Sequence, residues 1–99
     1  MSTITFERSG GVIGNELHLD LDIDSLAEYE SQYLQKLIED SDFFNVPANL
    51  AMQSTPDEFL YTVTVDDGDK SHTVRVTDTT MPPSLLRLVK ELTMLRVLH

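Results

Sequence analysis

The chain has 99 residues, 40% of them hydrophobic and 24% charged, which fits one globular domain over residues 1–99 and excludes a disordered chain. No run approaches the roughly 18 consecutive apolar residues of a membrane span, and the absence of cysteine removes disulfides, thiolate metal sites and cysteine nucleophiles. Residues 1–69 sum to −13 and residues 70–99 to +3, so nucleic acid is not an expected partner for a body of net charge −10.

Thr3–Arg8 alternates, with Ile4 and Phe6 on one side and Thr3, Thr5 and Glu7 on the other, the pattern of a half-buried strand. The residues from Met1 to Arg8 show no basic stretch followed by an apolar one, so no signal peptide is expected. With cysteine absent, a reducing, cytoplasmic setting is expected. Ser9-Gly10-Gly11 reads as a break. A second strand follows, with Leu17, Leu19, Leu21 and Ile23 alternating with His18, Asp20, Asp22 and Asp24.

Ser25-Leu26-Ala27-Glu28 fits a capping box, which predicts a helix starting there and ending near Asp40–Asp42. Its predicted apolar stripe is Leu26, Tyr29, Tyr33 and Leu37 with Leu34 and Ile38. Phe43 and Phe44 are adjacent, so at least one is expected to plug the end of the core. After a turn at Thr55-Pro56-Asp57, a third strand carries Phe59, Tyr61, Val63 and Val65 on one side. Asp66-Asp67-Gly68-Asp69 is a hairpin signal of the type I′ kind. The return strand holds His72, Val74 and Val76 on its inward phase. Pro82-Pro83 opens a second helix with Leu85, Leu88, Val89, Leu92 and Leu95 on its apolar face.

The order β-β-α-β-β-α predicts an α+β fold of two layers: a four-stranded antiparallel sheet with two helices packed on one face. The other face, with Asp20, Asp22, Thr62, Thr64 and Arg75, is expected in water. With each element reversing the last, the 10–15, 43–57 and 78–83 segments are expected at one end of the sheet, the usual place for loops that carry binding.

Enzymatic motifs are absent. None of His18, His72 and His99 lies four residues from another, and no nucleophile elbow, phosphate loop or dinucleotide fingerprint occurs. Asp20-x-Asp22-x-Asp24 begins like a calcium loop, but its sixth position is Ser25 and its twelfth Ser31, where glycine and glutamate are required. His72 is expected as a satisfied core or edge histidine. The chain is therefore read as a non-enzyme that needs no cofactor and no metal of its own.

Two segments look unlike plain structure. Gly10-Gly11-Val12-Ile13-Gly14-Asn15 places two apolar β-branched residues in a glycine-flanked turn, either packed under the hairpin or exposed for binding. The connection 48–54 is long and carries Leu50 and Met52.

Five motifs occur in order: Gly10-Gly11, Phe43-Phe44-x-x-Pro47, Pro56-Asp57-x-Phe59-x-Tyr61, Val65-Asp66-Asp67-Gly68 and His72-Thr73-Val74-x-Val76, before a proline-led, leucine-rich helix. Together they resemble the emfourin-like family, small bacterial inhibitors of thermolysin-like (protealysin-like) metalloproteases. The resemblance implies two neighbouring loops entering the protease cleft, an aspartate from one approaching the catalytic zinc and apolar residues of the other filling subsites. The candidate partner-binding residues are then Gly10, Gly11, Val12, Ile13, Leu50, Met52 and Asp57, with Asp42 and Asp78 as alternatives to Asp57. A monomer is expected. The alternative is a non-inhibitory interaction module, dimerising through its open sheet face or a strand edge.

Overall fold

A computed structural model describes residues 2–10, 16–51 and 58–98. Strands β1 (Thr3–Gly10) and β2 (Leu17–Asp22) precede helix α1 (Glu28–Asp40), and strands β3 (Phe59–Asp66) and β4 (Ser71–Thr77) precede helix α2 (Pro83–Leu98). The sheet order is β2-β1-β3-β4 and every pairing is antiparallel. The predicted two-layer α+β architecture is the one observed.

The alternating patterns explain the layering. Ile4, Phe6, Leu19, Val63, Val65, Val74 and Val76 are buried on the side that the helices cover. Glu7, His18, Asp20, Thr73 and Arg75 are exposed on the other. From α2 come Leu85, Leu88, Val89, Leu92 and Leu95, the five residues its spacing predicts, and from α1 come Leu34, Leu37 and Ile38. Pro83 is the first residue of α2, and the Pro82 carbonyl accepts the amides of Leu85 and Leu86, so the ring sits where no amide is needed.

Several local expectations fail. The capping box does not form. Strand β2 stops at Asp22, whose carboxylate accepts the Asp24 amide and the Ser25 hydroxyl, and Ile23–Ser25 becomes a short 3-10 turn. The serine is thereby occupied, and α1 starts at Glu28 behind Ala27 with no side-chain cap. Tyr29 and Tyr33 are not in the core, being 73% and 51% exposed. The hairpin is not type I′ either. Only Gly68 has a positive φ (96°), whereas that turn needs two such residues. The Asp67 carboxylate instead accepts the amides of Asp69 and Lys70.

The course of α1 also differs from the expected up-and-down path. We call the Gly10 end of the sheet upper and the Asp67-Gly68 end lower. The turn before α1 sits at the lower end of β2, where the Ile23 amide donates to the Ser2 carbonyl. The turn after it, Phe43–Asn45, packs on His72 near the lower end of β4, with ring centroids of Phe43 and His72 5.6 Å apart. Helix α1 therefore runs from the β2 side to the β4 side across the lower half. Asp42 follows it in the left-handed region (φ 52°), which aspartate tolerates. Phe43 is the buried plug, and Phe44 is half-buried with the Lys70 Nζ 4.3 Å from its ring centroid. His72 is satisfied as expected, its Nε2 2.7 Å from the Val46 carbonyl oxygen.

The 43–57 connection thus begins at the lower end, opposite to expectation. It climbs beside β4, where the Arg75 amide donates to the Ala48 carbonyl at 3.0 Å and the Leu50 amide to the Arg75 carbonyl at 2.8 Å. Helix α2 crosses the upper half in the opposite sense, and its Arg96 Nε donates to the His18 carbonyl of β2 at 2.9 Å.

Candidate functional site

At the upper end β1 finishes, β3 begins and β4 leaves the sheet. Gly10 is not a break but the last residue of β1, paired with Phe59. Its φ is +86°, and a Cβ there would lie 3.0 Å from the Glu58 carbonyl oxygen. Glycine is needed on both counts. The chain accordingly departs from β1 and re-enters β3 on adjacent strands, whose spacing is about 4.8 Å.

Asp78 locks this end. One carboxylate oxygen accepts the Phe59 amide at 3.1 Å and the other accepts the Tyr61 hydroxyl at 2.8 Å. Glu58 reciprocates, accepting the Thr79 amide at 3.2 Å. The Thr80 hydroxyl accepts the Thr77 amide at 2.9 Å, so the turn from β4 toward α2 is tied to itself. Burial, then the hydrogen bond to Asp78, pushes the Tyr61 hydroxyl up to about 12, and it stays a neutral donor throughout the physiological range.

Of the sequence-predicted partner-binding residues, Gly10 stands at this upper end. Leu50 lies beside the upper half of β4, half-buried and packed against the core. Gly11, Val12, Ile13, Met52 and Asp57 lie outside the described residues. The alternatives to Asp57 are both engaged elsewhere. Asp42 is at the lower end, where it accepts the Asn45 side-chain amide at 2.8 Å, and Asp78 has both oxygens within the fold. Sequence reasoning missed this clasp. Its only signal was a polar cluster, Asp78-Thr79-Thr80, directly after an alternating strand.

Among the described residues no group of three or more histidine, aspartate or glutamate side chains is placed to hold a metal ion. His18 meets two carboxylates on the open face, with Nε2 2.8 Å from Asp20 and Nδ1 3.2 Å from Glu7. The hydrogen bond to Asp20 is the main reason its pKa is raised. Among the described residues no helix is long and apolar enough to cross a membrane.

Comparison with curated proteins and with solved structures returns no significant match. The sequence model of one family, Emfourin, matches residues 6–93. That span runs from the middle of β1 into α2, taking in all of β2, α1, β3 and β4 and part of β1 and α2. Such membership supports a general inhibitor or interaction role rather than catalysis. The chain belongs to the Emfourin family.

Proposed function

We propose that this protein inhibits a thermolysin-like zinc metalloprotease by presenting the 11–15 and 52–57 connections to the protease cleft. The observation that carries the reading is the pairing of Gly10 with Phe59, which sets the stems of the two connections side by side on a rigid sheet. Val12 and Ile13 fill apolar subsites in this reading, each worth roughly 1.5–3 kcal/mol when buried. Asp57 is directed at the metal. Thermolysin-like sites keep an open zinc position that accepts a carboxylate oxygen. A carboxylate there displaces the water that would attack a peptide bond, so the inhibitor is not cleaved. The net charge of −10 draws the protein toward the cation over a Debye length of about 8 Å. The engagement of Asp42 and Asp78 within the fold supports the choice of Asp57.

Dimerisation through a strand edge is the weaker reading, because backbone at Ala48–Leu50 bridges to Arg75 on the β4 edge and Arg96 bonds the His18 carbonyl on the β2 edge. The deciding experiment follows peptide cleavage by a thermolysin-like protease in the presence of the wild-type protein and Asp57→Asn. The wild type should inhibit, and the variant should inhibit far less while melting at nearly the same temperature. No inhibition by the wild type overturns the function; undiminished inhibition by a folded Asp57→Asn overturns the role of Asp57.

A further inference from the structure

Arg8 lies on the face of β1 that points toward the helices, in phase with Ile4 and Phe6. A charge in that position is unusual. Its guanidinium carbon stands 4.4 Å over the Phe59 ring, a cation–π contact. Its Nε is buried and has no hydrogen-bond partner among the described residues. The chain is rich in acids, yet among the described residues none forms an ion pair with Arg8. Asp78 is close by through Tyr61, but its oxygens are taken by Phe59 and Tyr61.

Beside Arg8, between the sheet and α2, runs a groove of about 440 Å³ lined by Tyr61, Leu86, Val89, Lys90 and Met94. Its lining among the described residues is apolar except for two cations and two hydroxyls, and it contains no carboxylate. Leu86 and Met94 are 40% and 58% exposed. We propose that this groove binds an acidic side chain, flanked by apolar residues, on a partner protein. The charge complement is specific: in a body of net charge −10 the groove presents Arg8 and Lys90 together. A carboxylate laid against the groove-facing part of the guanidinium makes the short, charge-assisted contact that arginine favours. The apolar neighbours of that side chain cover Leu86 and Met94. The groove is partly open to solvent, which suits a segment of a protein surface, whereas small ligands are mostly enclosed. The proposal does not depend on the partner being a protease.

The test uses the full chain labelled with 15N and two peptides, acetyl-Leu-Glu-Leu-amide and its glutamine counterpart. The glutamate peptide should shift the backbone amides of Leu86, Lys90 and Met94 saturably and bind at least about tenfold more tightly than the glutamine peptide. Lys90→Glu, an exposed helix substitution that keeps the fold, should abolish that preference. Arg8→Met should do the same if it folds. Equal binding of the two peptides, shifts confined to other residues, or an unchanged preference in Lys90→Glu would overturn the proposal. Decanoate is the third arm. If it shifts the same amides and binds as tightly as the glutamate peptide, the site takes a fatty carboxylate and the partner-protein assignment falls.

Discussion

Asp78→Asn separates an aspartate that builds the fold from one that reaches a protease. In the wild type the carboxylate accepts the Tyr61 hydroxyl at 2.8 Å and the Phe59 amide at 3.1 Å. Asparagine keeps one oxygen and replaces the other by a donor. If that donor faces the Phe59 amide, two donors oppose each other. If it faces Tyr61, the hydroxyl must reverse its role. Hydrogen bonds to charged groups contribute about 1.5–3 kcal/mol each. Asp78 is exposed, so the lower end applies, and the loss should be about 1.5 kcal/mol. At about 4–8 °C per kcal/mol for a domain of this size, thermal unfolding should shift down by roughly 6–12 °C. Tyr61→Phe removes the other half of the stronger bond and should cost about 1 kcal/mol. The double variant should lose about 1 kcal/mol less than the sum, because the shared bond can be lost only once. Calorimetry on the four proteins gives the coupling, and a protease assay on the same samples gives inhibition. If Asp78→Asn melts like the wild type yet no longer inhibits, Asp78 faces the partner and the clasp reasoning is wrong.

Gly10→Ala should be destabilised by about 1–2 kcal/mol, read by urea unfolding, because its φ of +86° disfavours a side chain and the new Cβ would crowd the Glu58 carbonyl. Ile13→Ser should raise the inhibition constant by about ten- to a hundredfold with little change in melting temperature, the loss of one buried apolar group at roughly 1.4 kcal/mol per decade. For pH dependence, His18 has a raised pKa, from the hydrogen bond to Asp20 first and the charges of Asp20 and Glu7 after it. The protonated form is favoured in the folded state, so its contribution is full below the ordinary histidine pKa of about 6.5 and is lost as pH rises through the folded value. His18→Asn should therefore flatten the change in melting temperature across neutral pH. Asp67 runs the other way: the amides of Lys70 and Asp69 lower its pKa. Its contribution is present above the unfolded carboxylate range and lost as pH falls through the lower folded value, so Asp67→Asn should flatten the acid limb.

What was legible followed from period and chemistry at single positions. Alternation over Ile4 and Phe6, Leu17 to Leu21, Tyr61 to Val65 and Val74 to Val76 placed four strands and told inside from outside, because a strand has only two faces. The spacing from Leu85 to Leu95 placed α2 in the same way. Helix α1 was harder, since the arc a helix buries depends on its neighbours. Tyr29 and Tyr33 fit a helical stripe, but with α1 crossing the lower half the arc through Leu34, Leu37 and Ile38 meets the core and the tyrosines turn outward. Ser25 had a competitor for its hydroxyl in Asp22, three residues back, and no spacing rule chooses between them. The path of the 43–57 connection was set by Phe43 meeting His72, a contact between distant residues with no local trace. For the candidate site, the glycine at position 10 signalled a positive φ, but its strand register was invisible, as was the claim of Phe59 and Tyr61 on Asp78.

The sheet order has a consequence for how the molecule must assemble. Its two outer pairings, β1 with β2 and β3 with β4, join near neighbours in sequence, but the central one joins β1 to β3 over the full run Thr3–Asp66 to Gly10–Phe59. At its closest that seam links residues roughly fifty positions apart, so both hairpins can close early while the centre waits on a long loop. Until it closes, each hairpin exposes the edge that will become the middle of the sheet, together with the apolar faces of Ile4, Phe6, Val63 and Val65. The folding rate should therefore respond chiefly to substitutions along the seam, and the same two edges are where a half-folded chain would pair with a second copy.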